Sequence, residues 1–298
     1  LYICILIICT MKNSVQKFHK WNDKFDVNKI LNLIKKGECI KEISKILEIP
    51  ERRLSEMIKY YNISINTKGQ KIPKNNNFFS NIDSEIKSYL LGYIIADGSI
   101  SIEPKKKNNI IYSYSKRLSI LVSIDDEEVI KLLQFYISPK SKIKKFHNTK
   151  GALNRKESLS IRFSSSQIID DLIKMNIKPN KTYHQDFIFD FNNIPKEYLN
   201  HFIRGFFDGD GCINKSNLEF VSTSKYFLLQ IKDIICNNIP EITYRLTEEK
   251  GKTINYFRLL FNTGKGFKSK LYNYLYNNSN FYLSRKKIKF NIENTVLT

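Results

Sequence analysis

Acidic residues are scarce in this chain of 298 residues: 29 Asp and Glu face 49 Lys and Arg, a formal charge of +20. A surface so charged repels itself unless a polyanion or its counterions screen it, and nucleic acid is the obvious polyanion. Cysteine is sparse too. Cys4, Cys9, Cys39, Cys212 and Cys236 form no C-x-x-C pair and have no histidine at zinc-finger spacing, which leaves buried free thiols in a reducing compartment as the expectation. The histidines, His19, His147, His184 and His201, build no H-E-x-x-H and read as surface or incidental groups. Gly264 to Gly266 lacks the Gly-Lys-Ser/Thr that completes a phosphate loop and reads as a helix entry. Long apolar runs are missing. The opening LYICILIIC falls far short of the roughly 20 residues that cross a bilayer and has no basic stretch before it, so no membrane anchor is expected. Leu1 opens the chain and Met11 follows closely, so residues 1–10 read as reading-frame extension.

What is present points to folded, basic domains. Hydrophobic content of 42% and aromatic content of 13% suit packed cores rather than a disordered polycation. Overuse of Ile, Lys and Asn suggests the compartment of an A/T-rich genome, whether organelle, bacterium or phage.

The spacing divides the chain into an N-terminal extension (1–25), a helical unit (26–65), a linker (66–80) and two copies of one pattern (81–194 and 195–298). In the helical unit Val27, Ile30, Leu31 and Ile34 share one helical face, which stops at Gly37. Ile40, Ile43 and Leu47 form a second face, and after Pro50 a third places Leu54, Met57, Ile58 and Tyr61 inward. Such a unit is helix-turn-helix-like, with Arg52, Arg53 and Lys59 available to DNA. The linker NTKGQKIPKNNNFFS has no periodicity.

In each copy a helix ends in Asp-Gly, a strand follows, then a helix, a strand and a helix. The first copy runs from LLGYIIADG through a strand at Leu118, Ile120, Val122 and Ile124, a helix from Asp126 to Ile137, a strand at Leu159, Ile161 and Phe163, and a helix from Ser166 to Asn176. The second runs from IRGFFDGDG through LEFVSTS, a helix from Lys225 to Asn237, INYFRLLFN and a helix from Gly266 to Asn277. Asp97 and Asp210 stand 113 residues apart (97 to 210), one copy length.

Gly92 and Ala96 lie one turn apart, as do Gly205 and Gly209. Each helix thus has a face where backbones can meet, and small residues there cost up to about 1 kcal/mol in helix propensity, which suggests a contact that needs them. Paired helices would bring Asp97 and Asp210 together, an unfavourable arrangement unless cations lie between them. Mg²⁺, or a similar divalent ion such as Mn²⁺, suits oxygen ligands and phosphate hydrolysis. The competing reading of either segment alone is a helix end capped by a left-handed glycine.

LLGYIIADG and IRGFFDGDG resemble the paired signature of monomeric, double-motif LAGLIDADG homing endonucleases over roughly residues 81–298. One copy is a weak signal; two in matching contexts carry the resemblance. It implies an α+β fold of two pseudo-symmetric αββαββα halves whose sheets form a saddle over the DNA major groove. It also implies metal-dependent hydrolysis of both strands of a long, specific duplex site, with Asp97 and Asp210 binding metal. The sixth motif position departs from the pattern at Ile95, while Asp208 keeps the acid, and little catalytic consequence follows because that position serves the helix end. The family's basic residue, which positions water or stabilises the phosphate, falls at Lys181 and Lys286; Lys287 adjoins the latter, and that pair also fits the alternative of backbone phosphate contacts.

On the first-copy strands Arg117, Ser119, Ser123, Ser158, Ser160, Arg162 and Ser164 alternate with the apolar set and are candidate base readers. In the second copy Glu219, Asn255, Phe257 and Phe261 are not sorted so clearly. Two rival readings share the scaffold: a maturase that binds intron RNA and assists splicing, and a transcription regulator that binds DNA without cutting it.

Overall fold

The computed structural model describes residues 27–35, 38, 40–60, 75–147, 157–264 and 266–290. Two compact units divide between Gln70 and Lys71. The first contains α1 (Val27–Lys35), α2 (Ile40–Leu47) and α3 (Glu51–Tyr60) around buried Ile30, Ile43, Ile49, Leu54 and Ile58. Ile34, Ile40, Leu47 and Met57 pack on that core, as the helical spacing requires. The Ser44 hydroxyl donates to the Ile49 carbonyl at 2.6 Å and closes the turn before Pro50. Expectations for Gly37 and Tyr61, and for the side chains of Val27, Leu31 and Lys59, lie outside the described residues.

The second unit begins its core in the segment read as linker: Phe78 and Phe79 are buried, and the Asn75 N–H donates to the Ile137 carbonyl at 3.1 Å. Its first half is α4 (Glu85–Asp97), β1 (Gly98–Lys107), β2 (Ile110–Ser123), α5 (Glu127–Ile137), β3 (Lys144–Phe146), β4 (Ser158–Phe163) and α6 (Ser166–Lys174). The second half is α7 (Leu199–Asp210), β5 (Gly211–Ile213), β6 (Asn217–Ser222), α8 (Lys225–Asn238), β7 (Tyr244–Glu249), β8 (Tyr256–Asn262) and α9 (Phe267–Tyr276), followed by the short α10 (Ser284–Ile288). The fold is therefore α+β, with an αββαββα order in each half and two antiparallel sheets ordered β1-β2-β4-β3 and β5-β6-β8-β7.

Periodicity had located only the inner strands β2, β4, β6 and β8. The outer strands β1, β3, β5 and β7 have one neighbour each, and apolar alternation in them is short, limited to Ile100 and Ile102 in β1 and Tyr244 and Leu246 in β7. Pro104 and the Lys105–Lys107 run sit in β1, an edge where the missing proline N–H costs no ladder bond. Ile124, expected in a strand, starts a 3₁₀ turn capped by the Ser123 hydroxyl, which accepts from the Asp125 N–H at 3.3 Å. Gly266 begins α9 at φ +80, which is the helix entry expected there.

α4 and α7 pack side by side at the centre. Nearly every residue of α4 is buried because one face meets its own sheet and another meets α7. The contact is reciprocal: a Cβ on Gly92 would strike the Phe202 carbonyl and lie 2.9 Å from Phe206 N, and one on Gly205 would strike the Tyr89 carbonyl and lie 3.0 Å from Tyr93 N. The 113-residue offset (89 to 202, 93 to 206) maps these neighbours onto each other, so the pair has a pseudo-two-fold axis. On that axis a Cβ at Gly209 would overlap the Cβ of its counterpart Ala96. Gly205→Val should therefore lower stability by about 3 kcal/mol or more, read as a lower denaturant midpoint at constant m; an unshifted midpoint would show that the helices are not in backbone contact.

Candidate active site

Asp97 and Asp210 are the last residues of α4 and α7, and each chain then runs straight into an edge strand. Gly98 and Gly211 are extended (φ −77, ψ 144 and φ −92, ψ 162), not left-handed. Glycine is needed for space: a Cβ would meet the Ile94 carbonyl at Gly98 and the Phe207 ring and carbonyl at Gly211. That geometry removes the left-handed cap reading and brings the aspartates to one end of the helix pair. A Cβ on Gly209 would lie 3.4 Å from Asp97 Oδ2. Burial, then the Asp97 charge, pushes the Asp210 carboxyl up to about 6. Its side chain reaches solvent, but crowding protein on its other sides weakens hydration. Burial also raises Asp97, against a lowering by Tyr93 and Lys181.

Both expected lysines arrive here and spend their hydrogen bonds on helix ends. Lys181 Nζ donates to the carbonyls of Ile94 (3.0 Å), Ile95 and Ala96 (2.6 Å) in the last turn of α4. Lys286 Nζ donates to the carbonyl of Gly211, the first residue of β5, and, at 3.4 Å, to that of Phe207 in the last turn of α7, the counterpart of Ile94. The C-terminal carbonyls of a helix lack intrahelical donors and carry partial negative charge, so a cation there is doubly suited. Burial lowers the Lys181 ammonium to about 8, opposed by the charges of Asp210 and Asp97. Lys286 is lowered by burial and by Arg285. Lys287 lies over the Tyr282 ring, 4.0 Å from its centre.

Asp208, expected to serve the helix end, instead ties the motif helix to its neighbours. It accepts from the hydroxyls of Tyr89 (2.9 Å) and Tyr276 (2.9 Å) and from the Leu283 N–H (2.7 Å). Its equivalent Ile95 is simply buried. Sequence reasoning missed Arg204. It is fully buried and donates to Phe281 O (2.8 Å), Leu275 O (2.6 Å) and Glu85 (2.8 Å). A charged residue inside an apolar motif helix was the available signal, because burial of arginine demands partners. His201, expected to be incidental, is partly buried 3.8 Å from Glu85, and burial lowers its imidazole to about 4. Of the thiols expected to be buried, Cys212 is exposed and Cys236 only half-buried; the other three lie outside the described side chains.

The inner strands bury Leu118, Ile120, Val122, Leu159, Ile161 and Phe163, which leaves the opposite face of the first sheet open. On it Arg162 Nε donates to Ser119 Oγ at 3.2 Å, Arg117 pairs with Glu103, and Ser160 is paired with Leu121 and Lys144. Ser158 and Ser164 are half-buried, and Ser123 is the cap described above. The second sheet resolves what the sequence left unsorted. Phe261 is core, Phe257 packs against the core, Asn255 donates to Glu248 at 2.8 Å, and Glu219 faces away from the core, bonded to Arg258 at 2.6 Å. In the separate helical unit Arg52 and Arg53 are exposed, Arg52 bonded to Glu56 at 3.2 Å.

The sequence of the second half matches the family described as "LAGLIDADG-like domain" over residues 197–280. The similarity to that domain family is confined to this stretch. The match contains α7 with Asp210, and the first half repeats the element order of this domain with Asp97 at the same place. Similar solved structures include I-DmoI in complex with DNA and Ca (20% identity, TM-score 0.42, 60% of this chain and 83% of that one). Another is I-SmaMI bound to uncleaved DNA target in the presence of calcium ions (14% identity, TM-score 0.43, 70% and 92%). No curated protein matches the chain.

Proposed function

We propose that this protein is a site-specific endonuclease that hydrolyses both strands of duplex DNA as a monomer, using divalent metal at Asp97 and Asp210. The convergence of the two aspartates at the ends of a pseudo-symmetric helix pair carries the reading. Among the described residues no group of three or more His, Cys, Asp or Glu is arranged to hold an ion. Two carboxylates with no nitrogen or sulfur donor nevertheless fit a hard cation that takes its remaining ligands from water and substrate phosphate, as Mg²⁺ does. Such a cation supplies charge neutralisation at the phosphate and a more acidic attacking water.

The chain's own residues do the rest. Asp97 and Asp210 present one carboxylate to each scissile phosphate. Lys181 and Lys286 neutralise the helix ends behind them and keep positive charge beside the place where negative charge grows in the transition state. Arg117, Ser119, Ser160 and Arg162 lie on a sheet face of the kind that enters a major groove, where arginine and serine read base edges. Arg258 offers the same chemistry on the second sheet.

Purified protein incubated with the DNA of the uninterrupted insertion locus should linearise it in the presence of Mg²⁺ and leave it intact in EDTA. Metal-independent binding with no nick would support the regulator, and intron RNA splicing without DNA cleavage the maturase.

A further inference from the structure

The repeat is chemically unequal one turn below the aspartates. The 113-residue offset pairs Tyr93 with Phe206 (93 to 206), each four residues before its aspartate. Residues so spaced on a helix are surface neighbours. Tyr93 is fully buried, and its hydroxyl has no partner at full hydrogen-bond distance, although it is near enough to the Asp97 carboxylate to lower that group. A buried hydroxyl without a partner costs stability, so its presence calls for an acceptor that accounts for it.

Three carboxylates act on that hydroxyl: Asp97, Asp126 and Asp208. Asp208 is occupied by two tyrosine hydroxyls and the Leu283 N–H. Asp126 is held by the Arg285 guanidinium, which donates to both carboxylate oxygens. Asp97 is the acceptor that remains, and it sits on the same helix as Tyr93.

None of this is repeated in the other half. Phe206 stacks on Phe220 with centroids 5.8 Å apart and meets Phe227 edge-on at 4.9 Å. The cap of α8 is Ser224, bonded to Phe187 O and Phe227 N, where α5 has Asp126. Beside Asp210 there is instead a cavity of about 260 Å³ whose lining includes Ile95, Lys181, Phe187, Phe206 and Phe227.

We propose that Tyr93 is a positioning residue for Asp97 alone: its phenol donates to the Asp97 carboxylate and fixes its orientation, so the strand served by Asp97 is cut before the strand served by Asp210. The inference rests on the reading of both aspartates as cleavage carboxylates. Pre-orientation of a ligating group by a hydrogen bond typically changes activity or metal affinity by about 10–100-fold.

The test uses the full chain and a duplex target labelled separately on each strand, under single-turnover conditions, with Asp97→Asn identifying the strand that Asp97 serves. Wild type should nick that strand first. Tyr93→Phe should slow it by about tenfold or more and leave the other within about twofold, with the folded protein retained and Tm close to wild type. Mn²⁺ titrated into the protein–DNA complex and followed by electron paramagnetic resonance should show one of two binding steps weakened in the variant. Phe206→Tyr should not reproduce the wild-type bias on the other strand, since Ser224 and the adjoining cavity replace Asp126 and Arg285 there. Equal slowing of both strands, unchanged strand rates, or a lower Tm without strand bias would overturn the assignment. A wild-type protein that cuts neither strand would overturn the proposed function itself.

Discussion

Asp97→Asn and Asp210→Asn are each expected to lower double-strand cleavage by at least about 100-fold while specific binding stays close to wild type. An amide keeps the size of the side chain and removes the charge that a divalent cation needs. Losing several kcal/mol of transition-state stabilisation, at about 1.4 kcal/mol per tenfold, sets that floor. Because the carboxylates stand on separate helices, each single variant should retain slow nicking of one strand. Binding is preserved because the sheet faces, not the helix ends, carry the open Arg and Ser positions. Quantitative cleavage and gel-shift assays on the same preparations decide it. Linearisation at the native rate by both variants would remove these residues from the site.

The largest effect concerns salt. Each phosphate neutralised by Lys or Arg releases condensed counterions, so the logarithm of the binding constant falls linearly with the logarithm of salt concentration. A chain of +20 formal charge that engages about 6 to 10 phosphates should lose roughly 10³ to 10⁵ in affinity between about 50 and 200 mM salt. Lys181→Met separates charge that binds from charge that serves the site. Its ammonium is committed to the carbonyls of Ile94, Ile95 and Ala96, so the salt slope should not change and the single-turnover cleavage step should slow. A slope reduced by about one unit with an unchanged cleavage rate would place Lys181 among the phosphate contacts instead.

Those expectations combine features of different legibility. The duplication was readable because two segments ending in Asp-Gly, with glycine or alanine one turn apart, recur at a fixed offset. The inner strands were readable because a sheet covered on one face imposes alternation on every strand with two neighbours. The edge strands were not, since their pairing is supplied by β2, β4, β6 and β8 and their sequences are free to hold Pro104 or a lysine run. The lysines were placed by pattern, but their hydrogen-bond partners were not. A lysine that caps a helix and one that meets a phosphate look alike until the carbonyls are in view.

The sequence by itself determined the two-fold repetition, the helix ends that carry Asp97 and Asp210, the apolar faces of the inner strands and the basic charge. All of these follow from local spacing and composition, which neighbouring residues impose on one another. Only the tertiary structure decided that Gly98 and Gly211 are extended, that Arg204 is buried against Glu85, and that Tyr93 and Phe206 make the two halves unequal. Each of these depends on which distant groups fill the space around a residue, and burial makes a missing or surplus hydrogen-bond partner costly in a way that spacing along the chain does not record.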